Sequence, residues 1–274
     1  MPARTAPGAP SPFPSVANFR DLGHWAAADG RVVRPGTVFR ANDFAALDAD
    51  DAAGLTGLRL KTIVDLRTEK ERSASPDPAF PGATQVVLDV LADVAEESMP
   101  ANLHSLLEDP EVARAMSEQM TTAQARDLMV RGYRAFVELD SAKRAFRGFF
   151  THLLTDEPAP MLFHCATGKD RTGWAAATFL HLMGVERADI YRDYLLTNDR
   201  LLPALRPLFA RFADAGGNPE LLRALLGVDE TYLAASFAQV ADDYGTIDRY
   251  FDEALGIDAD AQAHLRERFL VSPS

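Results

Sequence analysis

The chain has 274 residues, of which 47% are hydrophobic, a balance typical of a soluble globular protein. Its 28 Lys and Arg residues against 40 Asp and Glu residues give a net charge of −12. Because this charge repels polyanions, it argues against nucleic acid or an anionic membrane surface as a partner. The single cysteine, Cys165, excludes an internal disulfide and a cysteine-rich structural zinc site.

The N-terminal segment and the hydropathy of the chain show no readable targeting signal or membrane span. No stretch reaches the roughly 18 apolar residues of a membrane span, and Met1–Pro14 has no apolar core of a signal peptide. Its Pro, Ala, Gly and Ser residues predict a disordered leader over 1–14, followed by a single domain over 15–274. We expect no stable membrane insertion and a cytoplasmic location by default. Secretion without a recognisable signal and the oligomeric state stay open.

The first half of the chain alternates strand-like runs with helical stretches. Strands are predicted at Val32–Val33, Thr37–Arg40, Leu60–Leu66 and Gln85–Leu91. A helix is predicted over Asp48–Leu58, and strands separated by helices favour a parallel sheet. The acidic, weakly patterned segment Ala92–Gln119 is interpreted as an insertion, a lid or a solvated connection.

The second half becomes helical around one buried strand. Apolar spacing predicts an amphipathic helix over Gln124–Leu139, and Phe146–Leu154 continues a second such face. An apolar strand over Ala159–Cys165 runs into Arg171–Met183, which is apolar nearly all round and is therefore predicted to be a buried helix. Further helices are predicted at Tyr191–Leu196, Pro219–Leu226, Thr231–Tyr244 and Ala261–Leu270. The expected fold is α/β: a central, mainly parallel sheet flanked by helices, with a helical C-terminal part packed on the same domain.

The most informative stretch joins that strand to that helix and reads His164-Cys165-Ala166-Thr167-Gly168-Lys169-Asp170-Arg171-Thr172-Gly173. Free backbone N–H groups at a helix start bind anions, and small loop residues let the backbone curl around one. The helix dipole and Arg171 both favour the reactive thiolate of Cys165. Arg171 also offers a planar fork that matches two phosphoryl oxygens. The residues therefore predict attack by Cys165 on phosphorus and a phosphocysteine that water hydrolyses.

Each residue of this loop receives an expected role. The predicted phosphate-binding residues are Ala166, Thr167, Gly168, Lys169, Asp170 and Arg171. His164 is expected to order the loop backbone, and Thr172 to donate a hydrogen bond to the departing sulfur. Lys169 favours substrates with more than one negative group, such as inositol phosphates, or helps to capture a single phosphate, or is a solvated side chain.

The residues offer more than one candidate for the general acid that protonates the leaving oxygen. Asp170, inside the loop, is the first candidate, with bracing of the loop as its alternative role. Asp89 and Asp93 follow the second apolar strand, whose carboxyl end should open on the same crevice, and they are the second candidates. Their alternative role is that of solvated surface carboxylates.

Three other interpretations of the loop are weaker. A nucleotide-binding P-loop requires a Gly where Phe163 stands and a Ser or Thr where Asp170 stands. A metal site built on His164 and Cys165 lacks the usual spaced partners, so no metal or cofactor is expected. A buried cysteine without chemistry is common in general, but Gly, Lys, Asp and Arg at these spacings disfavour it here.

The loop resembles that of the cysteine-dependent phosphatases with a Cys-x5-Arg sequence, and more narrowly that of bacterial tyrosine phosphatases with an H-C-x-x-G-K-D-R-T-G loop. This branch has dual-specificity and phosphoinositide-phosphatase members. Further matching segments are Ala17–Gly23, Val38–Ala41, Ile63–Arg67 followed by Glu69 and Glu71, Asp193–Asn198, and Tyr244-Gly245 through Leu255-Gly256. The resemblance spans about Val16–Leu270. His24 departs from the pattern, and no Trp-Pro-Asp loop is present to supply the general acid.

The resemblance implies a phosphatase fold and metal-independent hydrolysis of phosphate monoesters in a phosphorylated protein or a phosphoinositide. The protein substrates would carry phosphotyrosine, with phosphoserine and phosphothreonine as further candidates. It also implies that residues from about 94 to 140 form a lid that covers the pocket and shields the thiolate. A polar network is expected to support the sheet edge and the loop, formed by Asn18, Arg20, Asp21, Arg40, Asp65 and Arg67. A phosphate-binding pseudophosphatase and a rhodanese-like sulfurtransferase are the rival functions, which the intact Cys165 and Arg171 and the run from Gly168 to Gly173 disfavour.

Overall fold

The computed structural model describes residues 6–94, 115, 117–154 and 160–273, which are built around a central five-stranded sheet. In spatial order its strands are β1 (Arg20–Asp21), β3 (Val38–Ala41), β6 (Met161–His164), β4 (Thr62–Asp65) and β5 (Thr84–Val87). β1 is antiparallel to β3, and the other neighbouring pairs are parallel. A separate two-stranded sheet pairs β2 (Val32–Val33) with β7 (Leu270–Val271). The expected α/β architecture is confirmed.

Helices cover both faces of the sheet and form the C-terminal part. They are α1 (Ala49–Gly57), α2 (Glu69–Ala74), α3 (Thr122–Glu138), α4 (Asp140–Leu153), α5 (Arg171–Leu182), α6 (Arg187–Ala204), α7 (Arg206–Asp214), α8 (Pro219–Leu226), α9 (Glu230–Tyr244), α10 (Ile247–Arg249), a π-helical turn (Tyr250–Ala254) and α11 (Ala259–Phe269). Local sequence sets several of their starts. At α2, for example, Thr68 and Glu71 form a capping box, in which each side chain accepts a hydrogen bond from the other residue's N–H.

The central strands β3, β6 and β4 are buried on both faces, as expected for parallel strands between helices, whereas the edge strand β5 is largely exposed. Phe163 lies on one face, where its ring packs 4.8 Å from that of Phe149 on α4 within the main hydrophobic cluster. Leu162 lies on the other face, in a second cluster with Phe13 and Phe44. Because side chains alternate along β6, His164 shares that second face, and its ring lies 5.0 Å from Phe44.

Some element boundaries differ from the sequence-based expectation. The apolar run Leu60–Leu66 contains only the four strand residues Thr62–Asp65, although Leu60 and Leu66 are also buried. The run Gln85–Leu91 likewise leaves the ladder after Val87. An apolar run therefore reports burial in the core rather than the length of the hydrogen-bonded strand.

The described part of the predicted disordered leader is packed against the domain. Phe13 is buried in the second cluster, and the Gly8 carbonyl accepts a hydrogen bond from Arg200 Nη2 over 2.7 Å. Residues 6–14 therefore depart from the expected disorder, because one aromatic side chain and a few backbone contacts anchor a segment of otherwise low hydrophobicity.

In the segment from about 94 to 140 that is predicted to form a lid, residues 95–114 and 116 lie outside the described residues. The helix α3 in the second half of this segment is held at both ends. Tyr133 and Val137 lie in the main core, whereas Ala125 packs in a third cluster with Leu208 and Leu222 of α7 and α8. Within the described chain, no helix is long and apolar enough to cross a membrane.

Candidate active site

The cysteine loop starts at the carboxyl edge of the sheet, between two neighbouring strands. In the register of the parallel ladders, His164 at the end of β6 pairs with Ala41 of β3 and with Asp65 of β4. The loop then runs from Cys165 to Asp170, and Arg171 begins the buried helix α5. The predicted arrangement of strand, loop and helix is therefore present.

The loop carbonyls are held by groups outside the loop. Gly168 O accepts hydrogen bonds from Arg40 Nη2 over 2.8 Å and from Asn18 Nδ2 over 3.0 Å. Asn18 Nδ2 also donates to Thr167 O over 3.0 Å, and Asp43 N donates to Ala166 O over 3.0 Å. The backbone amides of residues 166–170 make no hydrogen bond to another described group. This orientation leaves a row of N–H groups for an anion.

Gly168 is required by this geometry for two reasons. Its φ of +67° lies in the left-handed region, which side chains other than glycine disfavour. In addition, a Cβ atom at this position would lie 2.3 Å from Ala41 O on β3. The loop can approach the end of β3 this closely only with glycine.

Arg171 is held in place by a carboxylate fork. Its Nη1 and Nη2 donate to Oε2 and Oε1 of Glu71 over 2.6 Å and 2.7 Å. Burial alone would lower the pKa of Arg171, but its hydrogen bonds to Glu71 and the charge of Cys165 raise the pKa above its ordinary value. Arg171 has five N–H donors, so the fork with Glu71 leaves donors for a phosphoryl group.

Two further arginines share a single carboxylate beneath the loop. Asp193 on α6 accepts from Arg20 Nε over 2.8 Å and from Arg40 Nη1 over 2.6 Å, and all three side chains are buried. Burial and the neighbouring Arg20 lower the pKa of Arg40 to about 10, although Asp193 and Cys165 oppose this shift. One positive charge is therefore in excess within this group, close enough to interact with a Cys165 thiolate.

His164 is anchored on the opposite side. Its Nε2 lies 2.9 Å from Asp77 Oδ2, and its Nδ1 lies 3.3 Å from Cys165 O. Arg67 pairs with both Asp65 and Asp77, over 2.8 Å and 2.6 Å. Asp65, Asp77 and His164 bring potential ligand atoms within 4.8 Å of one another, and both carboxylates are paired with the single guanidinium of Arg67. The contact with Asp77 orients the histidine ring.

Asp170 and Lys169 form a pair at the end of the loop. Lys169 Nζ donates to Asp170 Oδ1 over 2.7 Å, and Tyr133 OH donates to the same oxygen over 2.9 Å. Lys169 is only 3% exposed, which disfavours the interpretation as a solvated side chain. Thr172 Oγ1 is buried without a hydrogen-bond partner among the described groups, so its proton is available for the sulfur.

The two alternative acids are engaged away from the loop. Asp89 accepts from the backbone N–H groups of Glu69 and Leu91. Asp93 accepts from Ser141 N and from Arg144 Nη2, both on α4. These hydrogen bonds, the one from Ser141 first, lower the pKa of Asp93, which disfavours the protonated form that an acid requires. Among the described contacts, neither carboxylate bonds a loop residue.

The predicted polar network divides into two groups, one on each side of the loop. Asn18, Arg20 and Arg40 belong to the first, and Asp65 and Arg67 belong to the second. Asp21 belongs to neither, because it accepts from Gly23 N and Gly36 N in the turn before β3. Five further supporting residues have no role predicted from the sequence: Glu71, Asp77, Tyr133, Asp193 and Tyr194. The spacing Thr68-x-x-Glu71 was a readable capping signal, but it does not reveal the pairing with Arg171.

We expect Asp193→Asn to lower the free energy of unfolding by about 3–5 kcal/mol, because it leaves two buried guanidinium groups without a carboxylate. Burial would raise the pKa of Asp193, but Arg20 and Arg40 hold it below its ordinary value. Its stabilising effect is therefore present above about pH 4 and is lost as the pH falls below that value. Denaturant unfolding of both proteins at several pH values measures this difference.

The control for this prediction is Asp189→Asn on the same helix, where Asp189 pairs with Arg192 at the surface. That change should cost about 1 kcal/mol or less. Equal losses in the two variants would contradict the buried role of Asp193.

We expect Gly168→Ala to abolish most phosphatase activity, whereas Gly36→Ala should leave activity nearly unchanged. Both glycines have positive φ, +67° and +73°, so both variants carry the same backbone strain of about 1 kcal/mol. Only Gly168 is crowded, since a Cβ at Gly36 meets nothing within 4 Å. Initial rates and melting temperatures of the two variants separate strain from crowding. Similar activity losses in both would show that close approach to β3 is not required.

Comparison with known proteins agrees with this geometry. A family model described as the tyrosine phosphatase family matches residues 11–271. A protein of Cupriavidus necator that is provisionally named a tyrosine-protein phosphatase is 34% identical to this chain over 259 residues. The match covers 94% of this chain and 88% of that protein. The triple specificity protein phosphatase PtpB of Mycobacterium tuberculosis is 31% identical over 262 residues, 88% of this chain and 92% of its own. The chain therefore belongs to the tyrosine phosphatase family, which confirms the predicted resemblance and the expected enzyme class, a protein-tyrosine or dual-specificity phosphatase.

Proposed function

We propose that this protein hydrolyses phosphate monoesters through a cysteinyl-phosphate intermediate on Cys165. The observation that carries the proposal is the orientation of the loop. Three of its carbonyls accept hydrogen bonds from Asn18, Arg40 and Asp43, and its amides are free of other described partners. Together with Arg171, these amides form a cradle for three phosphoryl oxygens above a nucleophilic sulfur.

The first step transfers the phosphoryl group to sulfur. The Cys165 thiolate attacks phosphorus, the bond between phosphorus and the leaving oxygen breaks, and Asp170 gives its proton to that oxygen. In the second step, Asp170 takes a proton from water as the water attacks phosphorus. The sulfur–phosphorus bond then breaks, and the thiolate returns with inorganic phosphate as the product. Arg171 supports both steps, because its planar fork binds the equatorial oxygens as charge develops.

The substrate class follows from the cradle and from one relative. PtpB of Mycobacterium tuberculosis is named a triple specificity phosphatase. Lys169 is buried against Asp170 in this chain and adds a cation next to the phosphate cradle. We therefore propose phosphotyrosine in proteins as a substrate, with phosphoserine, phosphothreonine and phosphoinositides as further substrates that share the phosphate monoester.

We expect Cys165→Ser to lose phosphate release by roughly a thousandfold or more, because a serine hydroxyl is not ionised at neutral pH. Phosphate release from an aryl phosphate, a phosphotyrosyl peptide, phosphoseryl and phosphothreonyl peptides and phosphoinositide vesicles measures this loss for each substrate. Rapid acid quenching followed by mass spectrometry should show one added phosphoryl group on Cys165 of the wild-type protein. Undiminished turnover by Cys165→Ser would exclude the cysteinyl phosphate.

The same assay tests the general acid with matched variants. We expect Asp170→Asn to slow hydrolysis by about 10²-fold or more, whereas Asp89→Asn and Asp93→Asn should change it less than about threefold. A large loss in either of the latter, with Asp170→Asn active, would move the acid to that residue. Binding of phosphate esters without release would favour a pseudophosphatase, and turnover of thiosulfate instead would favour sulfur transfer.

A further inference from the structure

A chain of hydrogen bonds leads from α6 through α3 to the loop carboxylate. Tyr194 OH donates to Tyr133 OH over 2.6 Å, and Tyr133 OH donates to Asp170 Oδ1 over 2.9 Å. Lys169 Nζ donates to the same Oδ1 over 2.7 Å. The second oxygen, Oδ2, makes no hydrogen bond to another described group.

Both tyrosines lie inside the protein, with Tyr133 0% and Tyr194 1% exposed. Burying a hydroxyl costs free energy unless it is hydrogen-bonded, and phenylalanine would fill the same space without that cost. The two phenols and the carboxylate satisfy one another. Burial, reinforced by the charge of Asp170, raises the pKa of Tyr133 well above its ordinary value. Tyr133 is therefore a permanent donor over the pH range in which the enzyme would work.

We propose that Tyr133 is a positioning residue for proton transfer by Asp170, and that Tyr194 in turn positions Tyr133. This inference rests on the proposed function, in which Asp170 protonates the leaving oxygen. Tyr133 and Lys169 together fix Oδ1, so that Oδ2 is the atom that carries the transferred proton. Proton transfer requires the two oxygens to approach within about 3 Å, and a freely rotating carboxyl group would meet this geometry only part of the time.

This role has a chemical consequence that mere structural support lacks. A leaving group that is already a stable anion, such as dinitrophenolate, needs no proton from the enzyme. Phenolate and alkoxide are poorer leaving groups and depend on the acid. If the Asp170 carboxyl group is less well positioned, hydrolysis of phenyl phosphate should therefore slow, whereas hydrolysis of dinitrophenyl phosphate should be nearly unaffected.

The experiment compares kcat/KM for these two substrates in the wild-type protein and in Tyr133→Phe. This ratio reports the steps through cleavage of the bond between phosphorus and the leaving oxygen. We expect Tyr133→Phe to lower kcat/KM roughly tenfold for phenyl phosphate and less than twofold for dinitrophenyl phosphate. Inhibition by inorganic phosphate should stay the same, because the cradle itself is intact.

Tyr194→Phe, which leaves Tyr133 in place without its donor, should show a smaller change of the same kind and decides the question if Tyr133→Phe does not fold.

The matched control is Tyr232→Phe. Tyr232 is equally buried and its ring lies 6.0 Å from that of Tyr133, but its OH donates to Ala224 O outside the chain of hydrogen bonds. This variant should keep the ratio between the two substrates at the wild-type value. Any loss of activity that comes only from disturbed packing would affect both substrates equally.

The outcomes separate this inference from the function on which it rests. One outcome is that Asp170→Asn lowers kcat/KM selectively for phenyl phosphate, whereas Tyr133→Phe lowers kcat/KM equally for both substrates or for neither. Tyr133 then has no positioning role, and Asp170 remains the proposed acid. If Asp170→Asn itself shows no selectivity, Asp170 is not the acid and the inference fails with it. A selective loss of kcat/KM for phenyl phosphate in both Asp170→Asn and Tyr133→Phe, with an unchanged ratio between the substrates in Tyr232→Phe, supports the proposal.

Discussion

The site depends on which way one short stretch of backbone faces. Carbonyl oxygens in the cradle would repel a phosphate, so the loop can bind one only if its carbonyls are turned outward and held there. Asn18 and Arg40 hold the carbonyls of Thr167 and Gly168, and both residues lie on or beside strands that precede the loop in the chain. Arg40 is itself held by Asp193, which Arg20 also binds. A buried ion cluster of this kind is weak evidence for stability but has a clear effect on orientation.

The charges around the loop are unevenly divided, and this division suits the chemistry. On the side of Gly168, two arginines share one carboxylate, which leaves a positive excess that interacts with Cys165. On the side of His164, Asp65 and Asp77 share Arg67, which leaves a negative excess behind the imidazole ring. Coulomb interactions are strong in a buried site with little water. An anion on sulfur, or a phosphoryl group bound to it, is therefore favoured in the cradle, and the surplus carboxylate charge is separated from it by His164.

The sequence predicted the parts of the fold that local patterns encode. An apolar run ending in Cys165 and an apolar helix after Arg171 identified the central strand, loop and helix, because both elements are buried almost throughout. Helix α7 is absent from the sequence-based prediction, because Pro203 and Pro207 interrupt the helical pattern there. Pro207 lies in the first turn of α7, where proline is tolerated, and Pro203 lies inside α6 near its end. The partners Glu71 and Asp193 could not be predicted, because they are separated from Arg171 and Arg40 by 100 and 153 residues.

The loop sequence alone does not determine the direction of its own carboxylate. Asp170 and one of its donors, Lys169, stand inside the motif, but the other donor, Tyr133, lies on a helix outside it. Tyr133 is held by more than its hydroxyl: Ser236 Oγ donates to its backbone carbonyl over 2.6 Å, and α3 is packed in the main core on one end and in the third cluster on the other. A chain with an identical loop and phenylalanine in place of Tyr133 would keep the nucleophile and the cradle, but its carboxyl group would lack one of the two donors on Oδ1. The candidate nucleophile is thus encoded locally, whereas the position of the Asp170 carboxylate depends also on the packed helices.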